Sequence, residues 1–111
     1  MAKKEIIKIK DILRELLKQK GISINKIVVF GSYAKGTERK DSDIDIIVVS
    51  KVFRGTSIFE RVELTAGIGR DLVKKFMKPF DIIYYSDEEW KKGNSLIINS
   101  AKKEGEVIYG T

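Results

Sequence analysis

Three aspartates and one glycine-serine turn are the residues of this 111-residue sequence whose types and spacing suit chemistry. Asp43 and Asp45 stand two apart in the run DSDIDIIVV, and in an extended chain positions i and i+2 project from one face, so their carboxylates lie close together. Two carboxylates ~4 Å apart repel by about 4 kcal/mol at an effective dielectric of ~20, a cost that folding avoids unless a cation or proton sits between them. A divalent metal supplies that charge. Oxygen ligands without imidazole or thiolate select magnesium or manganese over zinc. Asp81 is the lone acidic residue of the apolar run FDIIYY, and if that strand lies beside the first it completes a carboxylate triad. Taken alone, DSDID also suits a solvated strand edge or a calcium-binding turn; Ile44, Ile46 and the flanking valines argue for a half-buried strand.

The second half of the constellation is Gly31-Ser32, at the end of the apolar run KIVVF. Gly31 lets the chain turn sharply and lets backbone N–H groups approach an anion with no side chain in the way. Ser32 adds a hydroxyl and can open a helical turn whose amino end favours phosphate. Three carboxylates facing such a turn fit two-metal phosphoryl or nucleotidyl transfer, with Asp81 as the expected general base and the nucleophile supplied by the acceptor. Lys35, Arg39 and Lys40 place positive charge beside the turn, where it either holds phosphate or is solvated.

Composition narrows the chemistry further. The sequence has no cysteine and no histidine, which removes disulfides, thiol nucleophiles, zinc knuckles and the commonest general base. Twenty-two Lys and Arg against 16 Asp and Glu give a net charge of +6, a bias toward polyanionic partners such as nucleotides that abundant surface lysine explains as well. No stretch reaches the ~18 apolar residues of a membrane helix, and MAKKEIIKIK lacks the apolar core and cleavage site of a secretory signal, so a cytoplasmic protein is expected, with no membrane partner and with nucleic acid secondary.

The elements that must position these residues can be read from periodicity. Ile6, Ile9, Leu13 and Leu16 form a helical stripe over 3–20, closed by Gly21. Strands are expected at 26–30, 43–49 and 80–85. Ser57 with Glu60 is a capping box opening a long helix over 57–77, along which Phe59, Val62, Ala66, Val73 and Phe76 recur at helical spacing until Pro79 ends it; Gly67 and Gly69 inside it call for a kink or a close approach to the sheet. Ser86 with Glu89 opens a short helix through Trp90, residues 95–104 form another, and EVIY at 106–109 is a small edge strand or packed tail. Tyr33 suits stacking or packing, with packing favoured, and Tyr84, Tyr85 and Trp90 read as core or interface aromatics rather than a base-stacking shelf. With no repeat or linker, residues 1–111 make one α+β domain with a small mixed sheet and helices mainly on one face.

GSYAKGTERKDSDID, a Gly-Ser, ten residues and then Asp-x-Asp, resembles the signature of the DNA polymerase β-type nucleotidyltransferase superfamily, and Asp81 resembles its third carboxylate. The short length resembles the minimal nucleotidyltransferases, often MntA-like antitoxins paired with HEPN-domain toxins. That resemblance implies ATP as donor and magnesium at a two-ion site, with Asp43, Asp45 and Asp81 as catalytic residues and metal ligands. It places Gly31 and Ser32 on the triphosphate, with Lys35 and Arg39 as further nucleotide-binding residues. It also implies AMP transfer to a tyrosine of a HEPN-type toxin. Larger members carry an extra helical domain that grips the acceptor; here recognition is expected from another polypeptide, in a homo- or hetero-oligomer. The alternatives are an antitoxin that acts by binding alone, and a catalytic subunit acting on a small molecule or RNA end.

Overall fold

The computed structural model describes residues 3–110. Helix α1 (Lys3–Gln19) turns Ile9, Leu13 and Leu17 inward, and Gly21, at a left-handed φ of 72°, ends it. Strand β1 (Lys26–Phe30) leads into a single helical turn, α2 (Ser32–Lys35), and a polar loop carries the chain to β2 (Ile44–Val49). Asp43 therefore lies one residue before the second strand rather than within it.

Beyond a 3-10 turn at Lys51–Phe53, the expected 57–77 helix is two helices, α3 (Ile58–Leu64) and α4 (Ile68–Phe76). The break falls at Gly67, whose φ of 87° no continuous helix accommodates, while Gly69 stays helical with open space where its Cβ would be. The consequence for packing is large. Ile68 and Leu72 are buried, but Phe59 and Val62, which share the helical spacing, are 81% and 62% exposed. Both capping boxes form: Ser57 with Glu60 at α3, and Ser86 with Glu89 at α5 (Asp87–Lys92). Strand β3 (Phe80–Tyr85), helix α6 (Leu96–Glu104) and strand β4 (Glu106–Tyr109) complete the chain.

The four strands order as β3-β2-β1-β4, with β1 antiparallel to both β2 and β4 and β2 parallel to β3. The sheet is mixed, as its α+β sequence pattern requires. Ile27, Val29, Ile44, Ile46 and Val48 face the main core with α1 and α4. Each such side chain taken from water contributes ~1.5–3 kcal/mol, which fixes the strand register. By alternation Val28, Ile47 and Val49 face the other side, where Ala101 of α6 and Trp90 cover them. At the end of the sheet, Asp45 is half-buried and Asp81 beside it is exposed.

Candidate active site

Asp45 is the centre of the site. Its neighbours across the sheet are Phe30 on β1 and Asp81 on β3, directly opposite in register. The parallel pairing of β2 with β3 thus brings together two carboxylates far apart in sequence. Burial pushes the Asp45 carboxyl above its ordinary range, and the charges of Asp81 and then Asp43 push it further. Both other aspartates thus act on Asp45, which is half-buried, while Asp43 and Asp81 are exposed.

Gly31 supplies the opposite wall. Its φ of 72° and ψ of −150° belong to a region that only glycine occupies freely. A Cβ built there would overlap Oδ2 of Asp45, so the missing side chain is what admits the carboxylate. Immediately after it α2 turns, closed by Gly36, whose backbone N–H donates to Ser32 O. Ser32 is at the start of that turn and Tyr33 packs against the main core with Lys78 Nζ 5.8 Å from its ring centroid.

The basic residues of the loop are placed differently from one another. Lys35 Nζ lies 2.9 Å from Glu104 Oε2 of α6, so its charge is shared with a carboxylate. Arg39 and Lys40 are exposed, and Arg39 helps close the loop through backbone contacts with Ser42: its N–H donates to Ser42 Oγ at 2.8 Å and its carbonyl accepts from Ser42 N–H at 3.1 Å. Of the aromatics, Tyr84 packs on Phe53 with ring centroids 5.4 Å apart, and burial pushes its hydroxyl up to about 12. Tyr85 and Trp90 pack on the second core cluster, with Lys26 and Lys102 against the Trp90 ring.

Among the described residues no three acidic side chains stand as a ready-made metal cage. The donor set nonetheless fits a hard divalent ion, because magnesium is held by one or two carboxylates with the remaining positions left to water and substrate phosphates. Burial and its two acidic neighbours oppose the charge of Asp45, and a cation there would relieve it.

Sequence patterning missed Arg61. From α3 it donates Nη1 to Tyr84 O at 2.9 Å, Nη2 to Phe53 O at 3.1 Å and Nε to Thr56 Oγ1 at 2.9 Å, and pairs with Glu89 at 2.8 Å. An arginine flanked by Glu60 and the exposed Val62 gave no local signal of that role. Beside it, between α3 and β3, is a groove of about 550 Å³.

The model of the nucleotidyltransferase domain family matches residues 6–108. A Methanocaldococcus jannaschii protein named for protein adenylyltransferase activity is 32% identical over 87 residues, covering 78% of this chain and 79% of its own. Among solved structures, a toxin-antitoxin crystal structure with AMP-PNP superposes with a TM-score of 0.65 at 23% identity, over 91% of this chain and 73% of that one. A complex of tri-AMPylated Shewanella oneidensis HEPN toxin with its MNT antitoxin gives 0.58 at 20%, over 96% and 73%. At these identities the structures establish a shared fold.

Proposed function

This chain belongs to the nucleotidyltransferase domain family, and from that premise we propose that it transfers AMP from ATP to a hydroxyl on another protein, a tyrosine of a HEPN-type toxin, as a cytoplasmic antitoxin. Gly31 and Ser32 form the turn that receives the triphosphate, through backbone amides that no side chain obstructs. Lys35 and Arg39 lie within the same loop region and add positive charge toward it. Asp43 and Asp45 would hold magnesium, with Asp81 completing the acidic cluster. When bound, the metal polarises the phosphoryl oxygens and lowers the cost of developing charge.

Asp81 accepts the proton of the attacking hydroxyl. As the new oxygen–phosphorus bond forms at the α-phosphate, the bond to the β-phosphate oxygen breaks and pyrophosphate leaves. The observation that carries this reading is the register of Asp45 opposite Asp81, with Gly31 packed against Asp45 from the other side.

The test is incubation with α-labelled ATP, magnesium and the HEPN-domain protein of the same genome, followed by mass spectrometry of the labelled product. AMP on a tyrosine is expected, and abolished by Asp45→Asn. An unlabelled partner, or label undiminished in the variant, overturns the reading. Protection of the cell without ATP use would instead identify an antitoxin that works by contact alone.

A further inference from the structure

Strand β3 is an edge strand, and its free side is the floor of the groove beside α3. The hydrogen bonds show which backbone groups face outward. Pro79 O accepts from Ile44 N and Tyr85 O accepts from Ser50 N, both toward β2. Alternation then turns the N–H and C=O of Phe80, Ile82 and Tyr84 to the open edge. Arg61, reaching Tyr84 O from that side, confirms the direction. Because the guanidinium takes the Tyr84 carbonyl, the outward N–H and C=O of Ile82 remain as the central pair of the floor.

The opposite wall is apolar. Ile58 and Val62 are 77% and 62% exposed, and Ala66 continues their line. Large side chains displayed on one helix beside an open strand edge mark a surface meant to be covered. The groove's charges are already matched, since Arg61 is paired with Glu89 at 2.8 Å and bonded to four other oxygens. A polyanion such as an RNA end would meet an engaged guanidinium and a carboxylate. A floor of backbone groups unpaired among the described residues, beside an apolar wall, is complementary to a polypeptide in extended conformation.

Position ties the groove to the chemistry. Asp45 has Gly31 on its β1 side, so the donor turn occupies that flank, and the acceptor must approach over β3, where Asp81 stands next to Ile82. We propose that the groove is the acceptor site and that it takes an extended segment of the partner protein as an added strand on β3. Pairing with Ile82 sets the hydroxyl-bearing residue within one or two positions of Asp81, at ~3.3 Å per residue. Alternate apolar side chains of the segment then face Val62 and Ala66.

The inference rests on the AMP-transfer reading, and the same assay separates the two. The probe is the HEPN-domain protein used above, with wild type, Ala66→Arg and Val62→Asp, both substitutions being at exposed sites. Wild type should transfer AMP, and each variant should transfer at least about tenfold more slowly while keeping the wild-type thermal shift with magnesium and a nonhydrolysable ATP analogue. Amide exchange at Ile82 and Tyr84 should slow when the partner is added. Equal transfer by the variants, or exchange at Ile82 unchanged by a partner that is being modified, overturns the strand-addition site and leaves AMP transfer standing. Loss of the ATP-analogue shift in the variants would make the groove part of the donor site. Protection of Ile82 that depends on protein concentration without partner would make it a contact between two copies; each of these two results also overturns the proposal. No transfer by wild type removes the premise for both.

Discussion

The two flanks of Asp45 are built by different means. On the β1 side the carboxylate lies in the space a Cβ of Gly31 would fill, so backbone geometry sets the distance and no side chain can adjust it. On the β3 side Asp81 is exposed, on an edge strand bordered by an apolar groove. A closed flank suits a group that is the same in every turnover, because preorganised donors need no rearrangement as charge develops. An open flank suits an acceptor that arrives from outside, is modified and leaves. Under the proposed AMP transfer, the contrast places donor and acceptor on opposite sides of one residue.

The strongest challenge to that assignment is Asp45→Asn. It removes the carboxylate common to both flanks, and with it several kcal/mol of metal-assisted charge stabilisation, so AMP transfer should fall by roughly a thousandfold. Single-turnover transfer rates check it. Asp81→Asn should cut transfer by about a hundredfold or more through loss of the base, while nucleotide binding measured by calorimetry is retained. If Asp81→Asn instead abolishes ATP binding, the two flanks are not functionally separate.

Gly31→Ala should act on the fold as well as on the site. A side chain at that φ and ψ costs ~1–3 kcal/mol in strain before any overlap with Asp45, which corresponds to a melting temperature lower by roughly 5 to 20 °C. Ser32→Ala, one residue on and free of that constraint, should leave melting nearly unchanged. Equal effects of the two would show that the closed flank is not held by its missing Cβ.

Much of this contrast could be read from the sequence, and what could not has physical causes. Strands at 26–30 and 80–85 and both capping boxes occur where local patterning put them, because alternation and fixed offsets of three residues are short-range signals. Asp81 opposite Asp45 followed from placing two strands side by side. The α3–α4 break did not follow, since glycine at 67 permits a left-handed turn without demanding one, and the apolar stripe runs through both helices. Phe59 and Val62 look like core residues to any periodicity argument; only the break shows that they face outward. Lys35 paired with Glu104, and Arg61 joined to Tyr84, depend on contacts between distant segments that no window contains.

A smaller effect concerns pH. Burial and the charges of Asp81 and Asp43 raise the Asp45 pKa above its reference value of 3.8, so between that value and the raised one the folded state binds more protons than the unfolded state. Stability is then lost as pH rises through this window and stays level above it. Without magnesium, Asp45→Asn should therefore melt higher than wild type at neutral pH, with the advantage shrinking as pH falls toward 3.8. Melting curves across that range check the sign. An advantage that grows on acidification would mean that the Asp45 charge is stabilised by the fold rather than opposed by it.

The smallest effect lies at the outer rim of the closed flank. Lys35 is about half exposed and shares its charge with Glu104, a surface pair worth ~0–1 kcal/mol, so Lys35→Ala and Glu104→Ala should each change the melting temperature by only a few degrees. Their effects on nucleotide should differ in sign. Lys35→Ala removes a positive charge near the phosphate turn and should weaken ATP binding severalfold, whereas Glu104→Ala frees that lysine and should strengthen it. Both shifts should diminish at high salt, since the groups are solvent-exposed. If the two substitutions weaken binding alike, the pair acts by holding α6 against the turn, and the closed flank owes its phosphate affinity to backbone amides alone.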